Sequence, residues 1–233
     1  AYKMVGDPDG LGAFDNGNGT FTVLMNHELS TTQGITRAHG SIGSFVSKWV
    51  INKSTLCVQS GQDLIQSVRT WSGSSFVPGT TIFNRFCSAD LPQQSALYNV
   101  NTGKGTLERI FLNGEEAGTE GRAFAHIVTG PNAGTTWQLP WLCRCDWENQ
   151  LASPTTSDKT VVVGTDDATP GQVYVYIGTK QSTGTEIERA GLQNGHVYGV
   201  AVNGLATEVA GSYPAPNTPF SLIDLGDVHN LTG

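Results

Sequence analysis

An all-β fold is what this sequence predicts, and three observations predict it. Of the 233 residues, 29 are Gly and 10 are Pro, while Asp, Glu, Lys and Arg together make up only 14%. Such a charge-poor composition, rich in Gly, Thr and Val, suits pleated strands better than helices with charged outer faces. Turn signals recur roughly every 8 to 15 residues between short apolar runs. Polar residues also follow several of those runs directly, at Asn26-His27-Glu28, Glu115-Glu116 and Asp166-Asp167.

Taken in order, the first clear strand is Phe21 to Asn26, behind the turn Asp15-Asn16-Gly17-Asn18-Gly19, where Asn-Gly supplies the positive φ of a tight hairpin. Val46 to Ile51 and Thr55 to Val58 flank the turn Asn52-Lys53-Ser54. Asp63 to Trp71 is the best helix candidate, and no amphipathic segment reads as a helix longer than two or three turns. Ala96 to Val100 and Leu107 to Leu112 flank Asn101-Thr102-Gly103-Lys104-Gly105, a second hairpin signal. Ala123 to Val128 should pair with Thr135 to Leu139 across a Gly-Pro-Asn turn. Thr160 to Gly164 and Gln172 to Ile177 flank an Asp-rich loop, and Val197 to Val202 is the last clear strand. Gly and Pro thicken over 203–219 into an exposed connector, beyond which comes one more apolar run, Phe220 to Leu225. Strands so spaced build a sandwich, a barrel or a propeller. Polar residues at corresponding strand ends would line the channel of a propeller, although a sandwich could place them at one rim. Residues 1–233 read as a single β-propeller domain that is roughly half of a longer protein.

Thirteen basic and 20 acidic residues leave a net charge of −7, which repels phosphate backbones and argues against a nucleic-acid partner. No run approaches the roughly 20 apolar residues of a membrane span. No Gly-rich strand-to-helix turn with a downstream acid marks a dinucleotide site. The start at Ala1, with no leader, reads as a processed product. Cys143-Arg144-Cys145 has the wrong spacing for a zinc knuckle and lacks a second ligand pair, while a disulfide from Cys57 to one of these two stays open.

Chemistry concentrates at the acidic strand ends. Alternation along a strand puts Asn26 and Glu28 on one face and His27 on the other. Adjacent carboxylates such as Glu115 and Glu116 repel, and a cation is the usual remedy. Asp166-Asp167 leads into the turn Thr169-Pro170-Gly171, and hard oxygen ligands in such loops suit Ca²⁺ or Mg²⁺. Asp7-Pro8-Asp9-Gly10 reads equally as a turn, and Asp15-Asn16-Gly17-Asn18-Gly19 as a solvated one. His126 alternates with Phe124 and reads as a packed, hydrogen-bonded histidine. Cys87 lies two residues from Arg85, and a neighbouring guanidinium favours the thiolate, a nucleophile or a soft ligand for iron or zinc. The bland alternative is a buried, inert cysteine.

Gly10-Leu11-Gly12-Ala13-Phe14, Asn26-His27-Glu28, Arg85-Phe86-Cys87-Ser88, Gly114-Glu115-Glu116, Gly121-Arg122-Ala123-Phe124-Ala125-His126 and Gly164-Thr165-Asp166-Asp167 follow one another in this order. In that order the chain resembles, over essentially its whole length, PhoX-type proteins, secreted bacterial β-propellers related to the alkaline phosphatase PhoX. The resemblance is to a branch often described as PhoX-like or phytase-like. It implies a six-bladed propeller whose axial cluster of iron and Ca²⁺ hydrolyses a small phosphate ester in the periplasm or outside the cell. Carried over by position, Cys87 would ligate iron, with Glu28, Glu115, Glu116 and Asp166 as further metal ligands. Arg85 or Arg122 would hold the phosphate, because a guanidinium fork matches two phosphate oxygens. Two alternatives use the same acidic strand ends. One is a calcium-propeller hydrolase of lactonase or phytase type, without iron. The other is a non-catalytic, calcium-binding surface or matrix protein that self-assembles through its strand edges.

Overall fold

Thr20–His27 turns Thr20, Thr22, Leu24 and Asn26 inward and leaves the alternate positions half-exposed, as far as His27. That two-residue period recurs along the chain, and the computed structural model, which describes residues 2–207 and 217–231, resolves it into three larger sheets, the first and third wholly antiparallel. The first sheet runs in order through β1 (Pro8–Asp15), β2 (Thr20–His27), β3 (Phe45–Asn52) and β4 (Val58–Asp63). Next come β5 (Ser67–Trp71), β6 (Phe76–Gly79) and β7 (Phe86–Asp90). A single helical turn, α1 (Gln94–Leu97), and a small hairpin of β8 (Tyr98–Asn99) and β9 (Lys104–Gly105) lead to β10 (Ile110–Glu115), β11 (Ala123–Ile127) and β12 (Thr135–Gln138). The second sheet has the order β6-β5-β12-β11-β10-β7, with β5 joining β12 in parallel. After a 3₁₀ turn at Pro140–Leu142 the third sheet follows: β13 (Trp147–Ala152), β14 (Lys159–Asp166), β15 (Val173–Thr179), a helical turn α2 (Glu186–Arg189), β16 (His196–Val202) and β17 (Phe220–Gly226).

Each sheet begins at one edge with an inner strand, β1, β7 or β13, and meanders away from it; β7 packs against both of the others. These are the blades of a propeller-like all-β fold, three in succession. Two cores hold them together. Leu24, Val46, Phe86, Phe111 and Phe124 fill the space between the first and second sheets. Leu112, Ala125, Trp147, Val162 and Val197 fill that between the second and third. Every residue of β10 and β11 is buried, because the middle sheet is covered on both faces. The inner strands approach closely enough to require glycine. A Cβ at Gly10 would lie 2.4 Å from the Ala89 backbone nitrogen, and one at Gly114 would lie 2.4 Å from Trp147 Cβ.

Some elements depart from the sequence expectation. The helix expected over Asp63 to Trp71 is instead the end of β4, a bend and β5. Leu64, Ile65 and Val68 are drawn into the core, and the backbone of Ser67–Trp71 pairs with the free edge of β12. The strand expected from Thr55 starts at Val58, since Asn52 Oδ1 accepts the Ser54 and Thr55 amides and holds a turn that Leu56 closes at φ 57°. Ala96 and Leu97 belong to α1 rather than to a strand. Phe220–Gly226 forms a further strand beside β16. Within the expected connector, residues 208–216 lie outside the described residues. All four cysteines are free thiols.

Candidate metal centre

Three times, the chain lays the start of an inner strand against the end of the next strand in one register. Glu28 donates its amide to the Asp7 carbonyl at 2.8 Å, Glu116 to Arg85 at 2.9 Å, and Asp167 to Asp146 at 2.8 Å. The following pairs are Pro8 with His27, Phe86 with Glu115, and Trp147 with Asp166. Each inner strand then carries one residue more than its partner before pairing resumes at Leu11 with Met25, Ala89 with Asn113, and Asn149 with Thr165. That extra residue is a β-bulge, which breaks the alternation of the strand and re-aims a side chain. The residues at the three bulges are Asp9, Cys87 and Glu148.

All three point into one space. Cys87 Sγ donates to Glu148 Oε2 at 3.3 Å and to Asp9 Oδ2 at 3.6 Å. Ligand atoms of Asp9, Glu28 and Cys87 lie within 4.8 Å of one another, as do those of Cys87, Glu116 and Glu148. Arg85, at φ 43°, turns its guanidinium to Glu28 Oε1 (2.8 Å) and Glu116 Oε1 (2.6 Å). The expected effect of Arg85 on the thiol is therefore reversed. Burial pushes the Cys87 thiol well up, and the hydrogen bond to Glu148 and the charge of Asp9 add to it. Burial also raises the Glu116 carboxyl, with Glu28 adding to it, although Arg85 pulls the other way. Burial alone would lower the guanidinium of Arg85, but its pairs with Glu28 and Glu116 outweigh that and raise it.

Four carboxylates and a thiol thus gather at one place, and among the described residues Arg85 pairs with two of them, Glu28 and Glu116, a donor set whose charge calls for bound cations. Carboxylate oxygens suit calcium, and the thiolate suits iron, so the residues fit the metals that the sequence resemblance implies. A buried polar chain holds the thiol's backbone in place. Asn26 Nδ2 donates to the Cys87 carbonyl at 2.7 Å, and Asn113 Nδ2 donates to Asn26 Oδ1 at 3.0 Å. His126 Nε2 lies 2.8 Å from Asn113 Oδ1 and its Nδ1 2.7 Å from Thr136 Oγ1. Because Oδ1 can only accept, Nε2 carries the proton and Nδ1 accepts from the threonine hydroxyl. This is the packed, hydrogen-bonded histidine expected from the sequence.

Among the sequence-derived candidates, Glu28, Cys87, Glu116 and Arg85 come together. Glu115 does not join them: 3% exposed, it accepts from Arg122 Nε (2.7 Å) and Nη2 (2.6 Å) and from the backbone amides of Asn84 and Arg122 (both 3.1 Å). Arg122 spends its remaining donors on Thr81 Oγ1 and the Ile82 carbonyl. Asp166 accepts the amides of Asp146 and Ala168, both at 3.2 Å. Its register matches that of Glu115, whereas Asp167 stands where Glu28 and Glu116 stand. Asp9 and Glu148 escaped the sequence reading. One signal could have found them, since 19 residues separate Asp9 from Glu28 and Glu148 from Asp167, against 29 from Cys87 to Glu116. The insertion of α1, β8 and β9 hides the repeat.

No family model and no curated protein matches the chain. Among solved structures it is similar to Pseudomonas fluorescens PhoX in complex with vanadate, a transition state analogue, with a TM-score of 0.51 at 11% identity. The match covers 84% of this chain and 46% of that one, so the chain spans about half the length of that protein. At this identity the likeness is one of fold, and it agrees with the propeller-like arrangement of the three sheets.

Proposed function

We propose that this chain carries the thiol-bearing part of a metal-dependent phosphomonoesterase site of PhoX-like type, in a protein secreted to the periplasm or beyond. Asp9, Glu28, Cys87, Glu116 and Glu148 would hold calcium and iron, and Arg85 would hold the phosphate. The observation that carries this reading is the meeting of Cys87 with four carboxylates at the bulged starts of three neighbouring inner strands and the ends of their partners. Bound metals would supply Lewis acidity at a phosphoryl oxygen and a hydroxide at neutral pH. Arg85 sits at the rim, its side chain 46% exposed, and can turn its fork from Glu28 and Glu116 toward two oxygens of an incoming ester. Arg122 and Glu115 act together as the buried tie that sets the direction of Glu116, and Asp166 holds the corresponding turn of the third blade. That a fold of this kind takes up vanadate in Pseudomonas fluorescens PhoX supports a phosphate-like ligand. Among the described residues no helix is long and apolar enough to cross a membrane.

The test is elemental analysis of the purified, undialysed protein together with hydrolysis of p-nitrophenyl phosphate. Iron and calcium are expected in the wild type. Cys87→Ala and Glu148→Gln should each lose metal and at least about 100-fold in activity, while Asp166→Asn keeps both. A wild type without metal, or full activity in Cys87→Ala, would overturn the reading. Calcium without iron, with Cys87→Ala silent, would favour the lactonase- or phytase-like hydrolase. Calcium without hydrolysis would favour a structural calcium-binding role.

A further inference from the structure

Two thiols that take no part in the candidate metal centre meet each other on the way into the third blade. Cys143 closes the 3₁₀ turn Pro140–Leu142 and has a φ of 74°, in the left-handed region that few residues other than glycine adopt. Cys145 follows two residues on, its amide donating to the Gly121 carbonyl at 3.3 Å. Residues two apart cannot hold their Cα atoms more than about 7 Å from each other, which is the limit of what a disulfide spans. Here the side chains also converge, because the thiols of Cys143 and Cys145 hydrogen-bond to one another.

The two are unequally placed. Cys145 is 4% exposed and belongs to the core between the second and third sheets. Its hydrogen bond with Cys143 and its burial push its thiol well up, so it is the poorer nucleophile of the two. Cys143 is half-buried and lines an open-mouthed cavity of about 350 Å³. Tyr174, Val197, Leu225 and Val228 give that cavity an apolar wall, and its size suits a small organic molecule.

We propose that Cys143 and Cys145 are a redox-active dithiol, which reduces a small organic disulfide admitted to this cavity and closes into an intrachain disulfide. Cys143 gives its proton to solvent, and its thiolate attacks one sulfur of the incoming disulfide. That S–S bond breaks, one thiolate leaves, and Cys143 carries the other half as a mixed disulfide. Cys145 then loses its proton and attacks the Cys143 sulfur, expelling the second thiolate. Two protein thiols are oxidised to one disulfide, and the small disulfide is reduced to two thiols. Burial sets the roles, since Cys143 lines the cavity while Cys145 lies behind it and against it. The inference does not rest on the phosphatase reading, and its readout is a covalent bond, so the two fail separately.

The test treats the reduced, purified chain with hydroxyethyl disulfide, quenches in acid and maps the peptides by mass. Trypsin cuts after Arg144, between the two cysteines, so the 123–144 and 145–159 peptides stay joined only where the disulfide has formed. Joined peptides that separate on reduction are expected in the wild type, as is an uncut 123–159 peptide lighter by two hydrogens. Cys57, exposed and donating to the Thr55 carbonyl, should instead keep one hydroxyethylthio group. Cys145→Ser should hold that group on Cys143 as a stable adduct. In Cys143→Ser, Cys145 should be labelled at least about 10-fold more slowly than Cys143 is in Cys145→Ser. A wild type in which the two peptides separate without reduction, with Cys143 keeping its adduct, would overturn the proposal. So would labelling of Cys145 in Cys143→Ser as fast as that of Cys143, since Cys143 would then have no claim to strike first.

Discussion

Glu115 and Glu116 are neighbours with opposite employment, because alternation along β10 sends one into the body of the blade and the other to the channel. Glu115 and Arg122 form a nearly closed ion pair, and removing one charge of such a pair strands the other where water cannot reach it. Glu115→Gln should cost about 3 kcal/mol of stability, read as a lower urea midpoint. Glu116→Gln, whose side chain is 13% exposed and pairs with the more exposed Arg85, should cost less. His126 is a second case. Burial pulls its imidazole from the usual 6.5 down to about 3, so the folded chain keeps it neutral where the unfolded chain binds a proton. Its contribution is therefore complete above pH 6.5 and is lost as pH falls from there toward 3. Wild type should lose more stability between pH 7 and pH 4.5 than His126→Gln does, because the carboxylate titrations are common to both proteins. Equal losses would mean that the buried histidine is protonated or solvated in the folded state.

At the scale of elements, a bulge at the same place in three inner strands converts three unrelated residues, an aspartate, a cysteine and a glutamate, into one constellation. The bulges work because glycines let the inner strands approach. At Gly114 an added side chain would strike Trp147 at its Cβ, an atom that cannot move without its backbone. Gly114→Val should therefore cost about 3 kcal/mol or more, while Gly79→Val, where nothing lies within 4 Å, should be close to neutral in the same urea titration. The same three elements explain what could be read from the chain beforehand. Strand ends such as Asn26-His27-Glu28 and Glu115-Glu116 stand out because acids are rare in this sequence and follow apolar runs. A bulge leaves no such mark: Asp9 looks like part of a Pro-Gly turn, and Glu148 like one polar residue among several.

For the whole molecule, the decisive fact is that three blades are an arc. The outer face of the third sheet is apolar and exposed at Leu151 and Phe220, that of the first is largely buried beneath Tyr2 and Arg37, and the acidic cluster lies along the inner edge of the arc. The all-β class, most of the strands and the choice of Glu28, Arg85, Cys87 and Glu116 as candidates came from the sequence alone, since two-residue alternation, Asn-Gly turns and acids after apolar runs are short-range signals. Tertiary structure decided the rest. It turned residues 63–71 from a helix candidate into strand by offering them a free sheet edge, and it tied Glu115 to Arg122. It also brought Asp9 and Glu148 to a thiol 78 and 61 residues away in the chain. No local pattern encodes that meeting, because it depends on how closely one sheet stacks on the next and on where each inner strand gains its extra residue.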